Sequence, residues 1–193
     1  MITMGTDRFP PIPESDWTPE QRARLQPMLD GPRSAIVSPF VPLMRSPDLM
    51  DRVQHVGAYL RYSSAIGQRL SELAILCTSR HWDQPVEWAI HAPLALREGI
   101  DAGVIAAMAE GVQPVFARDD EAVVHSATDQ LLRHKRLDDA THARALALFG
   151  EQGVIDLFGI IGYYTMLSVV MNGAQTAVPE TTAPLLCDRH HES

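Results

Sequence analysis

Apolar residues in this chain recur three and four positions apart rather than two, and the residues between the apolar stretches are those that start and stop helices. From Gln68 to about His81 the residues Leu70, Leu73, Ala74 and Cys77 make one stripe. A second helix begins near Gln84, with Pro85 in its first turn, where a missing N–H costs nothing, and Gly99 after its last periodic residue, where a left-handed cap fits. His81-Trp82-Asp83 is the turn between the two. Upstream, Thr18-Pro19-Glu20 starts a short helix that ends near Asp30-Gly31-Pro32, and a Pro-punctuated loop runs to Pro42. Ser46-Pro47 then caps a helix to about Tyr62, with Leu49, Val53, Val56 and Leu60 expected to face inward. Downstream, Asp101 caps a brief helix through Ala106 and Met108 that Gly111 stops, and Pro114 marks a loop. A long helix covers about Arg118 to His134, with Val123, Val124, Ala127 and Leu131 at core spacing. Asp138 or Asp139 caps another, ended by Gly150.

The last helix, Gly153 to about Asn172, is apolar almost all round, which predicts burial inside the fold or in a subunit interface and makes it the expected central helix. Gly159 and Gly162 are expected to let another helix approach closely. No useful period-2 alternation and no repeat is present, so the predicted class is all-α, a single-domain helical bundle. An extended arm over residues 1–17, with Pro10, Pro11 and Pro13, precedes the helical domain at 18–178, and a loose polar tail at 179–193 follows it. The arm is expected to wrap a neighbour or its own core.

At 193 residues the chain is long enough to bury a substantial core without help from metals or disulfides. Its two cysteines, Cys77 on an apolar stripe and Cys187 in the polar tail, do not read as a disulfide framework, so a reducing cytoplasm is the expected location. No apolar run reaches the roughly 18 residues of a membrane span, and Asp156, Tyr163 and Tyr164 interrupt the most apolar helix; no membrane partner is expected. A formal charge of −8, with no basic cluster beyond Arg133-His134-Lys135-Arg136, argues against nucleic acid. Small molecules and other protein chains remain as partners.

One stretch sets several ionisable side chains at helical spacing among apolar ones. Glu87 and His91, four apart, lie on one face of the helix that starts at Gln84, beside a stripe of Trp88, Ala92 and Ala95. Reading back, Glu72 is followed by eleven residues, Gln84, two residues, Glu87, three residues and His91. This spacing resembles the carboxymuconolactone decarboxylase and alkyl hydroperoxidase D-like superfamily, over roughly Pro47 to Asn172. In the peroxidase branch of that family the two middle positions are a cysteine pair that carries the redox chemistry, with the Glu and the His as proton relay. Here Gln84 and Glu87 stand in those places, and Cys77 cannot replace the pair, so thiol peroxidase activity is not expected. The Glu-x3-His form looks like the decarboxylase-like branch. The resemblance implies the alkyl hydroperoxidase D-like type of helical bundle, a homo-oligomer (dimer, trimer or hexamer) and a small carboxylated or lactone substrate.

A lactone-acid decarboxylase must hold a carboxylate, let it leave as carbon dioxide and protonate the carbon left behind. His91 suits the last task, because its ordinary pKa near 6.5 lets it give and take protons at neutral pH; Glu87 would orient it or raise its pKa. Glu72, buried against the start of that helix, would act as relay or general acid. Gln84, whose helix start favours an anion, together with Arg80, His81 and Trp88, are the candidate substrate contacts, with Arg97 less favoured as part of a solvated face. Tyr163 or Tyr164 would close over the site. Each has a plainer reading: Glu87 and His91 as an exposed stabilising pair, Glu72 as a partner of Arg69 or Arg80, Trp88 and the tyrosines as packing. Glu72, His81, Glu87 and His91 are suitable metal ligands by type, but no paired metal signature appears, and neither a metal nor a cofactor is expected. The rival to a cofactor-free lyase or proton-transfer enzyme is a non-catalytic oligomeric binding or scaffold protein of the same fold.

Overall fold

Side-chain caps fix half of the α-helix starts in the computed structural model of this chain, which describes residues 7–30, 36, 38–179 and 186. Thr18 and Gln21 form a reciprocal capping box at the start of α1 (Pro19–Leu29). After the short α2 (Phe40–Leu43) come α3 (Pro47–Tyr62) and α4 (Gly67–His81). Gln84 accepts from the Val86 N–H to begin α5 (Pro85–Arg97), and Asp101 accepts from Gly103 to begin α6 (Ala102–Glu110). Next are α7 (Asp119–His134) and α8 (Asp139–Ala174), the latter capped by Asp138 rather than Asp139. Among the described residues there is no strand, and the chain is all-α.

Three expectations about local elements need correction. The loop to Pro42 contains α2, with Pro42 inside it. Ser46 precedes α3 but its hydroxyl makes no capping bond. On α3 the inward stripe is Met50, Val53, Gln54, Gly57 and Leu60, whereas Leu49 and Val56 are exposed, because Gln54 and Gly57 take inward positions among the apolar residues. The expected helix end at Gly150 holds: its φ 64 and ψ 177 are non-helical and open to glycine without a side-chain clash, and the last helix starts directly beyond it, so α8 is two helices meeting at a kink.

The centre of the fold is α4, which packs against α3, α5, α6, α7 and α8. The expectation placed α8 there. Its inner side does carry core residues, including Leu157, Ile160, Leu167 and Met171, but Ile155, Gly162 and Val169 form an exposed stripe seven residues apart. Gly159 justifies its expected role, since an added Cβ would stand 3.1 Å from Leu60 on α3, while Gly162 faces open space. By length and composition α8 is apolar enough to cross a membrane, yet more than half of its most apolar stretch is buried within the fold. Asp156 ties α8 to the α3–α4 junction, accepting from the Ala65 N–H at 2.8 Å and from the Tyr59 hydroxyl. The described part of the arm lies on its own chain: Arg8 bonds the carbonyls of Gly173 and Ala174, and Arg45 holds those of Phe9 and Pro10. Residues 14–16 there form a 3-10 turn. Cys187, His190 and His191 of the tail, and Gly31 and Pro32, lie outside the described residues.

Candidate functional site

Helices α4 and α5 form an antiparallel hairpin whose turn is pinned to α8, and this fixes the register of everything between them. Trp82 donates from its indole to the Thr165 hydroxyl, Asn172 donates to the Trp82 carbonyl, and Gln84 donates to the Asn172 side chain at 2.7 Å. Gln84 therefore cements the helix start with both halves of its amide, the oxygen capping Val86 and the nitrogen reaching α8.

One turn and two turns into α5, Glu87 and His91 point inward toward Glu72 of α4. His91 Nδ1 lies 2.6 Å from Glu72 Oε2, and His91 Nε2 lies 3.2 Å from Glu87 Oε2. All three are buried, Glu72 completely. The closer partner is Glu72, so the orienting carboxylate is the one nineteen positions away rather than the helical neighbour. Arg69, the expected rival for Glu72, instead donates to Asp120 and Glu121 of α7. Tyr164 sets its ring edge-on to the imidazole with centroids 5.2 Å apart, and Tyr163 meets Tyr164 in the same way. Tyr164 thus reaches the site directly, Tyr163 packs behind it, and Trp88 lies wholly inside the core.

The electrostatics of this cluster favour a proton on His91. Burial opposes the charged ring, but the charge and hydrogen bond of Glu72, followed by those of Glu87, outweigh it and lift the pKa from 6.5 to about 9. At neutral pH both ring nitrogens donate, one to each carboxylate. Burial and then the charges of Glu87 and Glu72 push the Tyr164 phenol well above its ordinary value, so it stays protonated. Glu72 Oε1 and Glu87 Oε1 are buried and receive no hydrogen bond, an arrangement that costs on the order of 1–3 kcal/mol per group unless something supplies a donor.

Arg61 near the end of α3 is a residue the sequence reading missed. Its charge acts on the Tyr164 phenol, its guanidinium stacks on Tyr62 at 5.4 Å, and its buried Nε makes no hydrogen bond. In sequence it is only a basic residue in a last helical turn. Arg80 and His81, by contrast, are not brought to Glu72 and His91; they line a separate cavity between α4, α6 and α7 that none of Glu72, Glu87, His91, Tyr163 and Tyr164 touches. The reason is angular: Arg80 lies eight residues beyond Glu72, about 80° further around the helix, and so faces α7 rather than α5. Arg97 is exposed. Cys77, with its thiol pushed up by burial and by the charge of Asp129, is poorly suited to act as a nucleophile.

No family model, no characterised protein and no solved structure matches this chain. The functional reading is carried by these residues and their geometry.

Proposed function

We propose that the chain is a carboxymuconolactone decarboxylase-like protein of the alkyl hydroperoxidase D-like fold. On this reading it is a cytoplasmic homo-oligomer that works as a cofactor-free lyase or proton-transfer enzyme on a small carboxylated or lactone substrate. The observation that carries the reading is the buried Glu72–His91–Glu87 arrangement, in which an imidazolium is held between two carboxylates that each keep one oxygen without a donor. Those two oxygens, which no protein donor reaches, are the positions to which a substrate or a water can donate.

The roles follow from the distances. Glu72, at 2.6 Å, holds the ring and its charge; it is a positioning residue. Glu87, at 3.2 Å, is the looser partner, so Nε2 is the nitrogen that can be turned over to substrate. Arg61, rather than Arg80 or His81, is the cation that would meet the substrate carboxylate, and the hydroxyl of Tyr164 stays available as a donor. Loss of carbon dioxide breaks the bond from the carboxyl carbon and leaves its electron pair on the substrate as an enolate. His91 Nε2–H then gives its proton to that carbon and becomes neutral, and a proton from water, passed through Glu87, restores it. A homo-oligomer would cover the apolar stripe Ile155, Gly162 and Val169 on α8.

The test is turnover of a panel of small lactone acids in deuterium oxide. The reading requires carbon dioxide release with one solvent deuterium on the product carbon, and a fall of about 100-fold or more in His91→Gln. The second reading, a binding or scaffold protein that has kept the fold, is favoured by the sealing of the cluster, with His91 only 3% exposed. Failure of every acid to turn over, together with an imidazole indifferent to them, would leave that reading in possession.

A further inference from the structure

Beyond Gly150, α8 shows no charge to solvent for about six turns. From Gln152 to Gly173 the only ionisable side chains are Asp156, Tyr163 and Tyr164, and all three are buried. The outward positions are instead Ile155, Gly162 and Val169, seven apart, with half-buried Phe158 and Gly159 between the first two and half-buried Thr165 and Met166 between the last two. Ile155 is 65% exposed and Val169 50%, so branched aliphatic side chains meet water at both ends of the stripe and bare backbone meets it in the middle. A Cβ on Gly162 would touch no atom of its own chain within 4 Å, in contrast to Gly159, which Leu60 crowds. Nothing inside this fold calls for glycine at position 162, where it weakens the helix relative to alanine. A close approach from outside does call for it.

Three properties of the stripe say what approaches. It is matched about Gly162: under a twofold axis through that residue and perpendicular to the helix, Ile155 of one copy meets Val169 of the other, Phe158 meets Met166, Gly159 meets Thr165, and the two Gly162 backbones meet each other. Each pairing sets an apolar or small group against another, and none buries a charge. The chain as a whole carries a formal charge of −8, so two copies repel over much of their surface and can come together along a charge-free strip. The strip is also narrow, and no lysine or arginine lies between Gln152 and Gly173; a second helix fits it, whereas a lipid surface calls for a broad apolar face flanked by basic residues. At the Ile155 end Tyr59 of α3, 43% exposed, accepts from Gln152 at 3.2 Å and widens the contact beyond one helix, toward the roughly 800 Å² per partner that a stable interface needs.

We propose that two copies of this chain pair antiparallel along α8, crossing at Gly162, where the missing side chain brings the two backbones together. This pairing rests on the homo-oligomer proposed above and not on the lyase chemistry.

The test is disulfide cross-linking of the full chain in a Cys187→Ser background, with single cysteines added on α8; Cys77 stays, its thiol held protonated by burial. Gly162→Cys should oxidise to a covalent dimer, because its two thiols meet on the axis within the Cα separation of roughly 4.4–6.8 Å that a disulfide spans, and the open space at that position leaves the fold intact. Ile155→Cys alone should cross-link at least about tenfold more slowly, since its two copies stand roughly 21 Å apart along the helices, and Val169→Cys alone should do the same. A mixture of those two variants should give the mixed dimer. Gly162→Leu should weaken self-association at least about tenfold in sedimentation, with unchanged circular dichroism. Ile155→Cys that links to itself as fast as Gly162→Cys, or Gly162→Leu that associates as wild type does, would overturn the antiparallel crossing. Gly162→Cys that stays unlinked while wild type sediments as a multiple of one chain overturns this pairing and leaves a homo-oligomer built on another face; a monomeric wild type overturns both. A monomer that binds phosphatidylcholine vesicles through Ile155 and Val169 would give the stripe to lipid instead. Turnover of lactone acids, whichever way it falls, changes none of these readouts.

Discussion

His91 Nδ1 sits 2.6 Å from Oε2 of Glu72, a completely buried carboxylate on the preceding helix. This contact makes protonation of His91 part of what holds α4 to α5. His91 titrates near 9 in the fold and near 6.5 when unfolded, so between those values the native state holds a proton that the unfolded chain has released. The stabilisation is complete below pH 6.5 and is lost as pH rises through about 9, with an upper limit of about 3 kcal/mol. Urea unfolding at pH 6.5 and pH 9 should show the fall; in Glu72→Gln the difference should shrink to less than half. A stability that is flat or rising over this interval contradicts the assignment.

Arg69 is the partner of two carboxylates on α7, and one of them, Glu121, is buried. Removing the guanidinium leaves the buried Glu121 with only the exposed and more distant Arg118, at 3.8 Å, as counter-ion. Arg69→Met should cost on the order of 3 kcal/mol, and the double variant Arg69→Met with Glu121→Leu should recover most of that. Thermal unfolding of the three proteins measures it. Equal melting temperatures for wild type and Arg69→Met would show that the pair does not contribute.

Asp156 is the tie between α8 and the α3–α4 junction, accepting from the Ala65 N–H and from the Tyr59 hydroxyl. Asp156→Asn keeps the shape but weakens both bonds, with an expected loss of about 1–3 kcal/mol in denaturant unfolding. Tyr59→Phe removes only the partly exposed half of the arrangement and should cost less. The reverse order would show that the backbone bond to Ala65 is not the dominant contact.

The exposed stripe on α8 is expected to lie between copies of the chain. Ile155→Glu combined with Val169→Glu places charge at two of its most exposed apolar positions and should lower the mass measured by light scattering to that of one 21.3 kDa chain. Wild type at the same concentration should be a multiple of it. A monomeric wild type would refute the interface.

Much of this arrangement is legible in the residues before any coordinates. Helix starts are readable where a side chain supplies the missing acceptor, as Thr18, Gln84 and Asp101 do, and the face shared by Glu87 and His91 follows from their spacing alone. What periodicity cannot supply is the partner across a gap. Nothing local says that Arg69 turns to Glu121 and so leaves Glu72 to His91, or that Arg80 faces α7 while Arg61 stands near Tyr164. The inward stripe of α3 differs from its apolar count for a related reason: Gln54 and Gly57 are buried there, and Leu49 and Val56 are left exposed. α8 reads as apolar all round, and only the packing of the other helices decides which side is covered.

The measurement that reaches the central claim most directly is a proton-NMR titration of His91 in wild type, Glu72→Gln and Glu87→Gln, with and without small lactone acids. A wild-type pKa near 9 that drops most in Glu72→Gln, less in Glu87→Gln, and moves when a lactone acid binds is the result expected of an imidazolium oriented by Glu72 and offered to substrate past Glu87. A pKa near 6.5 that ignores both substitutions and every acid would contradict the account.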